Sequence, residues 1–155
     1  MKAKIIGLCL WAMFSTLSLA AETPMELYWE DLVPAGFEPL PGSVDHSGNM
    51  TQVQPDAPIV EGLNGKLVKV PGFVVPLEGT DDTISEFLLV PYFGACIHVP
   101  PPPSNQIVYV KFEKPVAIDN IYDAIWVTGV LSTEGWAGEI ASVGYRLTGQ
   151  SVAPF

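Results

Sequence analysis

Cys96 and His98 stand one residue apart in the stretch Phe93-Gly94-Ala95-Cys96-Ile97-His98-Val99, which runs directly into four consecutive prolines, Pro100 to Pro103. On an extended backbone, residues two apart project from the same face. A thiolate and a neutral imidazole held that way supply half of a tetrahedral zinc or copper(I) site, and a stiff polyproline II exit would fix their geometry. The donors that residue chemistry offers to complete it are Asp45 and His46, adjacent to each other in an irregular arm. Two other roles are open to the same pair. A free cysteine is among the most buried residue types, and a histidine ahead of prolines serves to hydrogen-bond a loop. A cysteine nucleophile with His98 as its base is the weakest of the three. It has no orienting carboxylate and no evident oxyanion donor, and the Cys-x-x-Cys of thiol redox chemistry is absent. The proline run itself is more commonly a rigid connector than a recognition ligand.

The elements that must position this pair are legible from composition and period. A chain of 155 residues suits one small domain, and a 48% hydrophobic share against 15% charged residues supplies a packed core. Fifteen Pro and fourteen Gly favour short strands and turns over a helical bundle. Thr23-Pro24-Met25-Glu26 has the form of a capping box, and Met25, Tyr28, Trp29 and Leu32 follow helical spacing, which predicts a short amphipathic helix ended by Pro34. Residues 21–58 therefore form a short helix and an irregular arm. Residues 59–155 form a β domain. Five runs carry the strand signal: Lys66 to Val75, bent by a bulge at Pro71-Gly72; Ile84 to Tyr92; Gln106 to Phe112; Ala124 to Leu131, with a bend at Gly129; and the alternation Val143, Tyr145, Leu147. Trp136 to Ala141 is ambiguous between a turn and a helical turn, Asp119 to Asp123 is a brief insertion, and Asp81-Asp82 is a solvated turn. The fold class is mainly β, a small five-stranded OB-like Greek-key barrel, with an open sandwich as the alternative.

The first twenty residues carry an address. Lys2 and Lys4 precede the apolar run Ile5 to Phe14, and Ser18 and Ala20 suit cleavage after Ala20, the pattern of a secretory signal peptide. An uncleaved anchor is the competing possibility, but Ile5 to Ala21 is short for a span and interrupted by Ser15, Thr16 and Ser18. The expected compartment is the periplasm. Net charge is −10 for the whole chain; loss of the two lysines leaves five basic against seventeen acidic residues, or −12. Nucleic acid and anionic membrane surfaces are thereby excluded as partners. Cys9 leaves with the leader, so Cys96 remains as a lone thiol that no internal disulfide can absorb.

Trp29-Glu30-Asp31-Leu32-Val33-Pro34, Asn64-Gly65-Lys66, Val70-Pro71-Gly72-Phe73-Val74-Val75-Pro76-Leu77-Glu78 and Phe87 through Gln106 together resemble the bacterial family called domain of unknown function thirty-two ninety-nine. The resemblance covers nearly all of the mature chain, and the block Phe93 to Pro103 is its most specific part. It implies an exported protein of Gram-negative bacteria, often described as a lipoprotein or periplasmic protein and found beside export-type ABC transporter components, in some cases with zinc-responsive genes. No cysteine follows the signal region where a lipid anchor would need one. The family brings no established catalytic residues.

The expected function is a periplasmic binding module, not an enzyme, that handles zinc through Cys96 and His98, with His46 and Asp45 as additional ligands, and works beside a periplasmic or inner-membrane transporter component. Thiolate ligation would release a proton, so affinity would rise with pH. The alternative is a metal-free structural or protein-interaction module of a cell-envelope complex.

Overall fold

Along Val108-Tyr109-Val110-Lys111-Phe112-Glu113, side chains alternate between buried aliphatic or aromatic residues and Tyr109, Lys111 and Glu113 on the opposite face, the period-two signature of a strand with one face in a core. The computed structural model describes residues 22–40, 43–44, 50–80 and 82–155. It contains five such strands: β1 (Leu67–Gly79), β2 (Thr83–Val90), β3 (Val108–Ala117), β4 (Ile125–Ser132) and β5 (Tyr145–Pro154). They pair in the order β1-β2-β3-β5-β4, and β4 closes back onto β1. All neighbours are antiparallel except β3 and β5. The barrel is thus closed, and the five-stranded Greek key holds over the sandwich.

Closure requires β1 to serve two partners. Its first half, through Gly72, pairs with β4, and from Phe73 onward it pairs with β2. The irregularity expected at Pro71-Gly72 is this exchange of partners, while the register shifts of β1 fall later, between Pro76 and Gly79. Glycine is required at the crossing because a Cβ on Gly72 would stand 2.7 Å from the Val90 carbonyl oxygen. At Gly129 the irregularity is carried by the facing strand: β4 stays in register with β1, while β5 holds an extra residue between Gly149, which pairs with Gly129, and Ser151, which pairs with Thr128.

Two apolar clusters result. The barrel interior holds Val68, Val70, Phe87, Val110, Val127 and Leu131, with the Phe87 and Phe112 rings stacked 6.1 Å apart. The outer face of β1, β2 and β3 carries the second, built from Val75, Leu88, Val90, Ile107 and Tyr109. Two segments cover it. One is the connection from Pro91 to Ile107; the other is a hairpin in which Trp136–Ala137 pairs with Ser142–Val143, so the ambiguous Trp136 region is β rather than helical.

The predicted N-terminal helix does not form. Met25–Glu26 is a short strand parallel to β1, Leu27 donates its N–H to the Lys69 carbonyl at 2.9 Å, and only Trp29–Leu32 winds, as a 3-10 turn. Between Pro24 and Pro34 there is too little chain to nucleate a stable helix, whereas the first half of β1 offers ready partners on the side that β2 does not reach. Of the four residues at helical spacing, Leu32 is fully buried and Trp29 packs on the interior cluster, while Met25 and Tyr28 are exposed.

Candidate functional site

The Pro91–Pro100 connection is turned, not extended. Gly94, in the left-handed region at φ 82°, offers one carbonyl oxygen to three N–H donors: Ile97 at 3.2 Å, His98 at 2.8 Å and Val99 at 3.2 Å. Cys96 also takes a positive φ, 65°, which is uncommon for a residue with a Cβ and marks a tightly determined turn. The alternation that would have placed Cys96 and His98 on one face therefore does not apply. Cys96 packs, half-buried, on the second cluster. His98 is exposed and borders a separate hollow beside Phe93 and Tyr122.

Burial pushes the Cys96 thiol up to about 11, so at neutral pH it is a protonated, weakly nucleophilic group. A zinc ion bound here would have to expel that proton. Among the described residues no group of three or more His, Cys, Asp and Glu side chains is placed to hold a metal together. Asp45 and His46 lie outside the described residues. The described residues thus bring together fewer than three such donors at any one place, short of the four a structural zinc site takes.

The same turn instead exposes apolar surface. Phe93, Ile97 and Tyr122 are 53%, 48% and 66% exposed, and Val99 and Tyr92 join them. Phe93 meets Phe73 edge-on at 6.1 Å and Tyr122 at 5.9 Å, so the rings form one continuous collar rather than scattered residues. Tyr122 is presented by the Asp119–Asp123 loop, which Asn120 braces: its amide accepts from the Tyr122 N–H at 3.0 Å and donates to the Asp123 carboxylate at 2.9 Å.

On the other side of the prolines the chain is sewn down. Pro101, Pro102 and Pro103 are buried, in keeping with a connector. Ser104 Oγ accepts the Ala57 N–H at 2.9 Å and Asn105 Nδ2 donates to the Pro58 carbonyl at 2.8 Å. The Gln52 side chain bridges Pro102 and Ser142, donating to both carbonyls and accepting the Ser142 N–H. Tyr145, fully buried, donates its hydroxyl to the Leu32 carbonyl and accepts the Val60 N–H. On the barrel face between β2 and β5, Glu86 accepts from the Tyr109 hydroxyl and the Lys111 ammonium, while Trp136 stacks on Tyr109 at 4.7 Å. These groups act as braces, with the buried Asn105 Oδ1 left without a hydrogen-bond partner among the described residues.

Sequence reasoning singles out the stretch through Cys96 and His98 but expects it extended rather than turned, and it misses Phe93, Ile97 and Tyr122 as surface. The signal available was three large apolar residues in segments dense in Gly, Pro, Asn and Asp, where turns expose what they carry.

Comparison with known proteins bears on the whole chain. The model of a family described as Protein of unknown function (DUF3299) matches residues 29–154. Among solved structures, the chain is similar to a DUF3299 family protein from Pseudomonas aeruginosa PAO1, with 44% identity and a TM-score of 0.76 over 86% of this chain and 97% of that one. Comparison with curated proteins finds no match.

Proposed function

The chain belongs to the DUF3299 family, and from that premise we propose that it is a non-enzymatic interaction module of the cell envelope, which docks a protein partner on the collar around Phe93 and Tyr122. The observation that carries this reading is the collar itself: contiguous aromatic and aliphatic side chains left in solvent by a turn that three hydrogen bonds to one carbonyl hold rigid. Exposed apolar surface of that kind marks interaction sites, and a pre-ordered one loses less entropy on binding. The export pattern at the N-terminus supports a periplasmic location.

Zinc handling beside a transporter component is the competing reading, and the curled backbone at Gly94 and Cys96 takes from it the shared face that Cys96 and His98 would need. One experiment separates them. A photo-crosslinking residue at position 93 or 122 is expected to give one discrete protein adduct in the envelope that persists after chelation and in Cys96→Ser, whereas the same residue at Glu113 gives none. Adducts independent of position would overturn docking at the collar. Stoichiometric zinc in the native protein, lost in Cys96→Ser, would put metal handling in its place.

A further inference from the structure

At the centre of the collar lies a hollow of about 70 Å³ whose lining is almost wholly apolar. Phe73, Val90, Phe93 and Ile121 contribute to its walls, and the exposed His98 and Tyr122 border it. An engineered apolar cavity of ~150 Å³ accepts benzene, so half that volume suits the branched tip of one aliphatic side chain. A pocket of this kind inside an apolar surround is the usual seat of a binding hot spot.

The surface leading away from the hollow has one sign of charge. Pro76 and Ile121 are shared with a wider trough of about 460 Å³ that carries Glu78 and Asp82. Across Ile118 the trough meets a third hollow, of about 270 Å³, that carries Asp119 and Asp123. Among the described residues, no lysine or arginine lines any of the three. Ile121 and Tyr122 sit between the two aspartates of their own loop, so the apolar anchor point and the acidic run belong to one continuous surface. The whole chain is acidic as well, at −10, which sets a second copy of it, or an anionic lipid surface, against like charge.

We infer that this surface binds a protein segment that inserts one leucine-like side chain into the hollow beside His98 and lays a basic stretch along the trough past Glu78, Asp82, Asp119 and Asp123. The inference rests on the docking function proposed above and names the chemistry of its partner. Apolar burial at the anchor supplies the affinity, while the acidic trough supplies orientation and a salt-dependent rate of association.

The test is a titration of the isotopically labelled mature protein, followed by amide chemical shifts, with synthetic peptides carrying one leucine beside a run of alternating lysine and serine, made in both sequence directions. One direction is expected to give saturable shifts at Gly94, Ile97, His98, Ile121 and Tyr122. Replacing its leucine by alanine should weaken binding about tenfold or more, the loss from emptying an apolar pocket. Exchanging its lysines for glutamates should abolish binding, and added salt should weaken it. Equal affinity of the leucine and alanine peptides, or of the lysine and glutamate peptides, overturns the inference, as does the absence of saturable shifts at the collar. Sedimentation showing a concentration-dependent dimer mapped to the same residues would overturn it in favour of a second copy. Crosslinking at position 93 separates the two levels: adducts without peptide binding leave the docking function standing and remove this partner chemistry, and failure of both removes both.

Discussion

The two sides of the Pro91–Ile107 connection treat apolar surface in opposite ways. After the prolines, Ser104, Asn105 and Gln52 draw the arm and the Trp136 hairpin over the barrel with side-chain hydrogen bonds to backbone, and the large apolar residues exposed on those segments, Leu40, Met50 and Ile140, are scattered along them. Before them, Phe93 and Ile97 point outward on a turn just as well determined, and no covering segment is pinned above them among the described residues. The difference teaches that the exposure is not looseness. A chain able to cover one flank with buried polar clamps leaves the other open by its own geometry, and an open, rigid, apolar flank is what an external partner needs.

The contrast breaks most visibly in the interior shared by both sides. Phe87→Ala, at a fully buried ring stacked on Phe112, should cost about 3–5 kcal/mol by denaturant unfolding; a much smaller loss would mean that the barrel interior is not the common foundation. Cys96, behind the collar, should alkylate on the order of a hundredfold more slowly at mild alkaline pH than a free thiol, and accelerate only as pH nears about 11. Rapid labelling at neutral pH would show that the turn opens. Tyr145→Phe leaves the Leu32 carbonyl and the Val60 N–H without their partner, an expected loss of about 1–3 kcal/mol, with hydrogen exchange quickening on the clamped side and unchanged at Ile97 and His98.

A smaller effect concerns Glu86, whose carboxyl is held below its ordinary range first by the Lys111 ammonium and then by the Tyr109 hydroxyl. Because the folded value is the lower one, the stabilisation is complete above the unfolded carboxylate value of ~4.3 and fades as pH falls through the folded value. Thermal melts of Glu86→Gln should therefore show a flatter decline on the acid side than the native protein. Least of all should change in Phe93→Ser and Tyr122→Ser, expected within ~0.5 kcal/mol of native stability while losing position-specific crosslinking. Marked destabilisation of either would reassign the collar to packing and erase the contrast between the flanks.

Much of the barrel was legible because period-two alternation survives clearly in β3 and β4: Val108, Val110 and Phe112 against Tyr109, Lys111 and Glu113 needs no tertiary information. The N-terminal helix was misread because a capping box and helical spacing are local signals, and they lost to the side of β1's first half that β2 does not reach, which sequence does not display. The Cys96 and His98 geometry failed for a related reason. Two residues of separation fix a shared face only if the backbone is extended, and Gly94 together with a left-handed Cys96 curls it. Glu86 and Tyr109, or Asn105 and Pro58, lie too far apart in the chain for their bonds to be read from residue types.

The parallel contact of β3 with β5 has a consequence in time. β5 lies between β3 and β4 and is the last of the five strands to be synthesised, so until it arrives β3 and β4 each lack a neighbour and the barrel cannot shut. Closure joins segments far apart in sequence, which slows folding and leaves edges bare meanwhile. The fold therefore locks only once its last strand is in place.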